Sequence, residues 1–280
     1  MRPIRIGVQL HPQHGSYDAL RRAVDRVEEV GADLLYTWDH FFPLYGERDG
    51  AHFECWSLLA AWAEQTSRVE LGPLVTCNSY RKPQLLADMA RTVDHISGGR
   101  LVLGIGSGWF RRDYDEYDYE FGTHGIRGRA LEEALPLIKR RLELLNPAPV
   151  RPLPIVIAGT GERITLRLVA HHAGGWHAGF PNEPAELEPK VEVLERWCAE
   201  VGRDPCDIER GVGVEPDDLE RFVTEDADDY VALGFTQFTL GVNGPAWEVG
   251  SAIEAWLAWR DERNASLEPA TAAAATPQTC

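Results

Sequence analysis

Short β-branched apolar runs alternate along this chain with longer segments whose apolar residues recur every three or four positions, the pattern of alternating strand and helix. Ile4 to Leu10 reads as a first strand. Ser16 then precedes Leu20, Ala23, Val24, Val27 and Val30 at helical spacing, and Gly31 closes the segment. Leu34 to Trp38 predicts a second strand, followed by a long loop and a helix from Cys55 to Thr66. Val69 to Thr76 predicts a third strand, with a helix from Pro83 to Ile96 behind it. The fourth strand, Leu101 to Ile105, leads to a helix over Arg129 to Leu145. The fifth, Pro154 to Ala158, leads to a helix over Glu162 to Ala173. A short sixth, Gly175 to Phe180, precedes a helix over Glu186 to Val201. Ile208 to Val214 and Phe235 to Val242 complete the strands, with helical patterns over Asp217 to Leu233 and Trp247 to Arg263.

Eight β/α units in 280 residues match a single (β/α)8 TIM barrel and leave no room for a second domain. The expected division is a barrel over 1–263 and a disordered tail over 264–280, where no amphipathic period remains. A doubly wound open sheet is the competing α/β architecture. It would need the dinucleotide fingerprint, and Gly104-Ile105-Gly106-Ser107-Gly108 follows a strand but continues into Trp109 where a glycine is required.

Composition narrows the function. Lys plus Arg of 28 against Asp plus Glu of 44 gives a net charge of −16, with no basic stripe, so nucleic acid is not an expected partner. No run reaches the roughly 18 apolar residues of a membrane span, and the amino end lacks an apolar signal segment, which predicts a cytoplasmic protein. The five cysteines show neither CxxC nor zinc-like spacing and fit reduced thiols.

Barrel enzymes carry their chemistry where strands run out into loops at the carboxyl end. That rule selects His11 and His14 after the first strand, Trp38-Asp39-His40 after the second, and the run from Thr76 to Arg81 after the third. It selects Ser107 to Arg112 after the fourth, Gly159-Thr160-Gly161 after the fifth, and His177 after the sixth. Asp39-His40 is a carboxylate and an imidazole at one strand end. The pair suits cofactor binding and proton transfer, and equally suits a loop cap with a packed ring. Gly159-Thr160-Gly161-Glu162-Arg163 joins strand to helix, as an anion-binding amide cradle or as a tight turn. The stretch from Trp109 to Phe121 is dense in aromatics and charges and reads as a lid, a cofactor wall or a subunit contact. His11-Pro12-Gln13-His14 and the glycine-threonine end of the fifth strand argue against the catalytic metal of a barrel hydrolase.

Trp38-Asp39-His40-Phe41-Phe42-Pro43, Leu71 to Arg81, and above all Asp94-His95-Ile96-Ser97-Gly98-Gly99-Arg100 continuing through Leu101 to Trp109 carry a resemblance. The chain resembles the luciferase-like flavin and deazaflavin oxidoreductases, in the branch that uses coenzyme F420. The similarity runs from Ile4 to Ala178 and more faintly to Trp259. It implies a barrel with the deazaflavin at its carboxyl-end mouth, hydride passing between the cofactor's C5 and a small organic substrate, and a homodimer. Asp39 matches the position that meets the ring, and Leu74-Val75 matches the site of a non-prolyl cis peptide that bulges against the ring face. Cys77, Gly108, Trp109 and Arg112 match positions that wall the ring and ribityl chain, and Ala158-Gly159-Thr160-Gly161 matches the phosphate loop. His40 matches the proton acceptor of the F420-dependent sugar-phosphate dehydrogenases. The chain departs from those enzymes at Leu44, where they have Trp, and at Trp109, where they have Glu. It has only Lys82, Lys139 and Lys190 to offer a phosphate. The alternatives are an FMN-dependent monooxygenase fed by a separate reductase, a metal-dependent barrel hydrolase, and a cofactor-binding protein without turnover.

Overall fold

The computed structural model describes residues 2–180, 183–215 and 221–267. Its strands are β1 (Arg5–Leu10), β2 (Leu34–Thr37), β3 (Glu70–Pro73), β4 (Thr76–Cys77), β5 (Leu103–Gly106), β6 (Ile155–Ala158), β7 (Gly175–His177), β8 (Glu209–Val214) and β9 (Phe235–Val242). All pair in parallel, in the order β3-β2-β1-β9-β8-β7-β6-β5-β4. The ring closes where Leu71 bridges Leu101, its N–H donating to Arg100 O at 3.1 Å and its carbonyl accepting from Val102 N–H at 2.8 Å. The result is a (β/α)8 barrel in which β3 and β4 are two pieces of one stave.

That split corrects the single third strand expected over Val69 to Thr76. The Leu74–Val75 peptide between the two pieces is cis. Leu74 N–H still donates to Thr37 O at 2.7 Å, whereas Thr76 pairs with Ile105, so the stave changes partner across the bulge. Gly104 makes room for it, since a Cβ there would stand 2.1 Å from Pro73 O.

The helices are α1 (Tyr17–Val30), α2 (Cys55–Gln65), α3 (Pro83–Ile96), α4 (Arg111–Glu116), α5 (His124–Leu144), α6 (Thr165–His172), α7 (Pro184–Val201), α8 (Ala227–Ala232) and α9 (Ser251–Ala265). Ser16 caps α1 through its hydroxyl, and Gly31 ends it at φ 89°, as the sequence pattern predicts. The helices bury their apolar stripes against the outside of the barrel, where Leu20, Val24, Leu59, Leu86, Leu135 and Leu166 meet strand residues such as Ile6, Val8 and Ile105. α5 starts five residues before the expected Arg129 and α9 four residues after the expected Trp247, and two further stretches differ from expectation. The loop over Trp109 to Phe121 contains α4, because Asp113 and Tyr114 turn inward and are buried. The seventh helical pattern, Asp217 to Leu233, appears as a π turn, Phe222–Asp226, running into α8, with its start outside the described residues. α9 extends past residue 263, and Asn264 clasps Ile4, accepting from its N–H at 2.7 Å and donating to its carbonyl at 2.9 Å. The rest of the tail, 268–280, lies outside the described residues.

Among the described residues, no helix is long and apolar enough to cross a membrane. Cys55, Cys77 and Cys198 are free thiols, while Cys206 is disulfide-bonded, which the scattered spacing did not announce. Arg100 works away from the strand ends. Its guanidinium donates to Ala63 O and Thr66 O, both at 2.8 Å, at the carboxyl end of α2. The first half of the Asp94-to-Trp109 run therefore serves the scaffold and its second half the barrel mouth.

Candidate active site at the carboxyl end of the barrel

A cavity of about 940 Å3 opens at the carboxyl ends of the strands, within the range of small-molecule sites. Its lining includes Asp39, His40, Leu74, Val75, Cys77, Gly108, Trp109, Ala158, Gly159, Thr160 and Gly161, so the loops after β2, β3, β4, β5 and β6 meet there. Arg112 is the expected site residue that stays outside the lining. Its guanidinium lies 4.0 Å over the Phe42 ring and bonds Arg48 O and Asp49, pinning the long loop after β2.

Asp39 is 1% exposed, and its carboxylate is fully engaged. Oδ2 accepts from Thr76 Oγ1–H at 2.6 Å and Cys77 N–H at 3.1 Å, and Arg81 clasps both carboxylate oxygens, donating to Oδ1 at 3.0 Å. A buried carboxylate is tolerable only with such compensation. The second Arg81 contact, to Glu54 Oε1 at 2.9 Å, ties this pair to the residue that caps α2. Burial alone would raise Glu54, but hydrogen bonds from Ser57 and Trp56 together with Arg81 hold it below the usual carboxylate range.

His40, next in the chain, points its Nδ1 at Asp113 Oδ2, 2.7 Å away. Asp113 is completely buried and also receives Phe41 N–H at 3.0 Å and Tyr80 O–H at 2.7 Å. The imidazole stands edge-on to Trp38, Trp109 and Phe110, with ring centroids 5.9, 5.6 and 5.4 Å away. Trp38 is locked from behind by its indole N–H donating to His52 Nε2 at 3.1 Å. Burial foremost pushes His52 down to about 4, so it is a neutral acceptor near neutral pH.

On the other side of Trp38, His11 stacks on the indole with ring centroids 4.1 Å apart. Gln9 donates from Nε2 to Leu74 O at 2.5 Å and presents Oε1 to His11 Nε2 at 3.2 Å, while Asn243 Oδ1 lies 2.6 Å from His11 Nδ1. Burial pushes His11 down to about 4. His14 and His177 lie outside the lining. His177 is buried, its Nδ1 accepting from Gly179 N–H at 3.1 Å, and desolvation takes it down to about 3.

Cys77 closes the wall as a thiol, because burial pushes it up to about 11, and its Sγ lies 3.3 Å from Tyr114 Oη. Gly108 lies directly against both groups. At φ +81°, a Cβ on it would stand 2.0 Å from Tyr114 Oη and 2.5 Å from Cys77 Sγ. Across the cavity, the loop 158–161 leads through a turn to α6, and Thr165 and His124 bring the starts of α6 and α5 to the lining. Among the described residues, the amides of Thr160 and Gly161 make no backbone hydrogen bond. Helix starts and amides without a backbone partner are elements that suit an anion in general, and no cationic side chain joins them in the described lining. The described lining contains neither Lys nor Arg. No group of three or more His, Cys, Asp and Glu among the described residues is placed to hold a metal ion.

Reading the sequence by strand ends missed Asp113, Tyr45 and Asn243. In Arg111 to Glu116 every side chain is charged or aromatic, so nothing local sets Asp113 apart.

The luciferase-like monooxygenase family model matches residues 1–216. An F420-dependent glucose-6-phosphate dehydrogenase of Amycolatopsis mediterranei is 32% identical over 187 residues, covering 60% of this chain and 54% of that protein. Another F420-dependent glucose-6-phosphate dehydrogenase, from Kribbella flavida, is 29% identical over 258 residues, covering 84% and 73% of the two chains. The match thus spans about half the length of the first relative. Among solved structures, an F420-dependent secondary alcohol dehydrogenase in complex with an F420-acetone adduct superposes with a TM-score of 0.78. The two chains are 17% identical, with 91% of this one and 97% of that one covered, a likeness of fold.

Proposed function

The chain belongs to the luciferase-like monooxygenase family, and from that premise we propose that it is a coenzyme F420-dependent oxidoreductase acting on a small uncharged organic substrate. The observation that carries this reading is the convergence in one cavity of His40, the Leu74–Val75 bulge, the Gly108-Trp109 wall and the 158–161 loop. Those segments span some 120 positions of the chain.

The residues fit a deazaflavin. The bulge and the thiol of Cys77 offer an uncharged wall for a flat ring, and Gly108 leaves the wall without a side chain where one would collide with its neighbours. The free amides of Thr160 and Gly161, with the starts of α5 and α6, suit a phosphate. When bound, the deazaflavin supplies two-electron hydride chemistry at its C5. Asp39, through Arg81 and Thr76, holds the ends of β2 and β4 in place. His40 handles the proton: in substrate oxidation its free ring nitrogen takes the hydroxyl proton as the C–H hydride departs and the C=O bond forms, and in reduction it returns that proton. Trp38, Trp109 and Phe110 stand edge-on to the imidazole and brace its plane.

A sugar phosphate is a poor fit for a lining without Lys or Arg, with Leu44 and Trp109 at the mouth. Ketones, enones and alcohols without charge match the aromatic and apolar walls. We read the protein further as a cytoplasmic homodimer, and light scattering of the purified chain tests the oligomeric part.

The deciding experiment is a fluorescence titration with F420, with FMN as competitor. Saturable micromolar F420 binding that FMN does not displace supports the reading. Preference for FMN, with oxygen consumed on adding reduced flavin, replaces it with a monooxygenase. In the F420-loaded enzyme, His40→Ala is expected to lower kcat by ~10²–10⁴ with cofactor affinity nearly intact.

A further inference from the structure

We propose that Asp113 is the positioning residue of the site, fixing the tautomer of His40 so that hydrogen sits on Nδ1 and Nε2 turns its lone pair to the cavity. The inference rests on the proton-transfer role given to His40 above and adds the group that makes that role possible. A neutral imidazole carries one ring hydrogen, and the partner of one nitrogen decides what the other does. The partner of Nδ1 is a completely buried carboxylate at 2.7 Å. Two further donors already converge on that carboxylate, the Phe41 amide on Oδ1 at 3.0 Å and the Tyr80 hydroxyl on Oδ2 at 2.7 Å. Burial raises Tyr80 far above the ordinary phenol range, so its hydroxyl keeps its proton and acts as a donor at neutral pH. Three donors arranged around a carboxylate are the arrangement in which it accepts throughout.

The surroundings hold the ring as well as its hydrogen. Trp38, Trp109 and Phe110 stand edge-on to it at interplanar angles of 76°, 76° and 89°, and Asp113 holds the Nδ1 edge. The bracing is reciprocal between neighbouring strand ends. Asp39 and His40 are consecutive after β2, Tyr80 and Arg81 are consecutive after β4, and they join as Asp39 to Arg81 and as His40 to Asp113 to Tyr80. α4 exists to deliver Asp113 to that junction, while Arg111, Asp115 and Glu116 on its other faces are exposed. The other titratable groups around the pair are His52 behind Trp38, the Cys77 and Tyr114 pair beside Tyr80, and the ion-paired Asp39, Arg81 and Glu54. None of them contacts His40 Nδ1.

Long-range 1H–15N correlation spectra of the full-length protein, labelled at histidine nitrogen, read the tautomer directly and need no cofactor. The His40 signals are assigned by their loss in His40→Gln. At pH 8 the wild type is expected to show a protonated, pyrrole-type Nδ1 and a pyridine-type Nε2. Asp113→Asn turns an amide N–H toward Nδ1 and should invert the pattern, and Tyr80→Phe should leave it as in the wild type. A wild-type His40 with hydrogen on Nε2, or an even mixture, overturns the proposal whether or not the variants fold. An Asp113→Asn spectrum like that of the wild type overturns it too.

Turnover of the F420-loaded enzyme separates this inference from the reading beneath it. If Asp113→Asn inverts the tautomer and lowers kcat by ~10²–10⁴ at unchanged F420 affinity, both stand. If it inverts the tautomer with kcat unchanged, the positioning role stands and His40 leaves the mechanism.

Discussion

Removing Arg81 tests how far the site depends on its buried ion pair. The Arg81 side chain is 10% exposed and that of Asp39 0%, and Arg81 supplies two of the four hydrogen bonds that the Asp39 carboxylate receives. Arg81→Met keeps much of the apolar stem and leaves the carboxylate only Thr76 Oγ1–H and Cys77 N–H. Breaking one partner of a buried pair costs about 3–5 kcal/mol, because the other charge stays buried and uncompensated. The lost Glu54 contact adds little, since that side chain is 39% exposed and half in water. The expected result is a drop of about 3–5 kcal/mol in urea unfolding free energy, with Tm lower by roughly 6–20 °C. The double variant Asp39→Asn, Arg81→Met removes both charges and should recover at least half of the loss, the amide oxygen still accepting from Cys77 N–H. A single variant within ~1 kcal/mol of wild type, or a double variant no better than the single, would falsify the account of Asp39 as a compensated buried charge.

Three further outcomes follow from the same geometry. Gly108→Ala should cost more than ~2 kcal/mol in urea unfolding and weaken F420 binding. The methyl would collide with Tyr114 Oη and Cys77 Sγ at a backbone φ of +81°, and a variant as stable as wild type sinks this reading. Unfolding free energy should rise with pH between about 4 and 6.5. His11, His52 and His177 have folded values of about 4, 4 and 3, below the unfolded ~6.5, so the unfolded chain binds protons that the native state refuses. Their stabilisation is complete above the unfolded value and is lost as pH falls through this window, at about 1.4 kcal/mol per pH unit for each neutral ring; a flat profile over pH 4.5–6.5 counts against it. Trp109 is 62% exposed, so Trp109→Ala should leave stability within ~0.5 kcal/mol while raising the F420 dissociation constant or the substrate KM. Binding and turnover both equal to wild type would remove Trp109 from the site.

Where the structure departs from the sequence reading, the departures share a cause. The β/α alternation was legible because it is local: Ser16 and Gly31 bound α1 as their residue types predict, and Pro83 to Ile96 is α3 without adjustment. The third stave was misread as continuous because the run from Val69 to Thr76 is mostly apolar, with Glu70 its one charge, and carries no local mark of a break. Its break at Leu74–Val75 depends on Gly104, a residue of β5, making room for Pro73. α4 was missed because its buried face amounts to Asp113 and Tyr114, too short for a periodic signal. Arg112, placed by resemblance among the residues walling the cofactor, instead stacks on Phe42 and bonds the loop at Arg48 and Asp49. The direction of a long side chain is chosen by whichever partner folding brings near.

By itself the sequence determined the barrel, the end of it that carries chemistry, and the residue types at each strand terminus, because hydrophobic period, helix caps and glycines act over a few neighbouring positions. Tertiary structure alone decided who meets whom there. His40 finds Asp113 across 73 positions, Asp39 finds Arg81 across 42, and His11 finds Asn243 across 232. A buried charge or an imidazole hydrogen takes its partner from the neighbours in space, and the closing of a parallel barrel is what makes those residues neighbours.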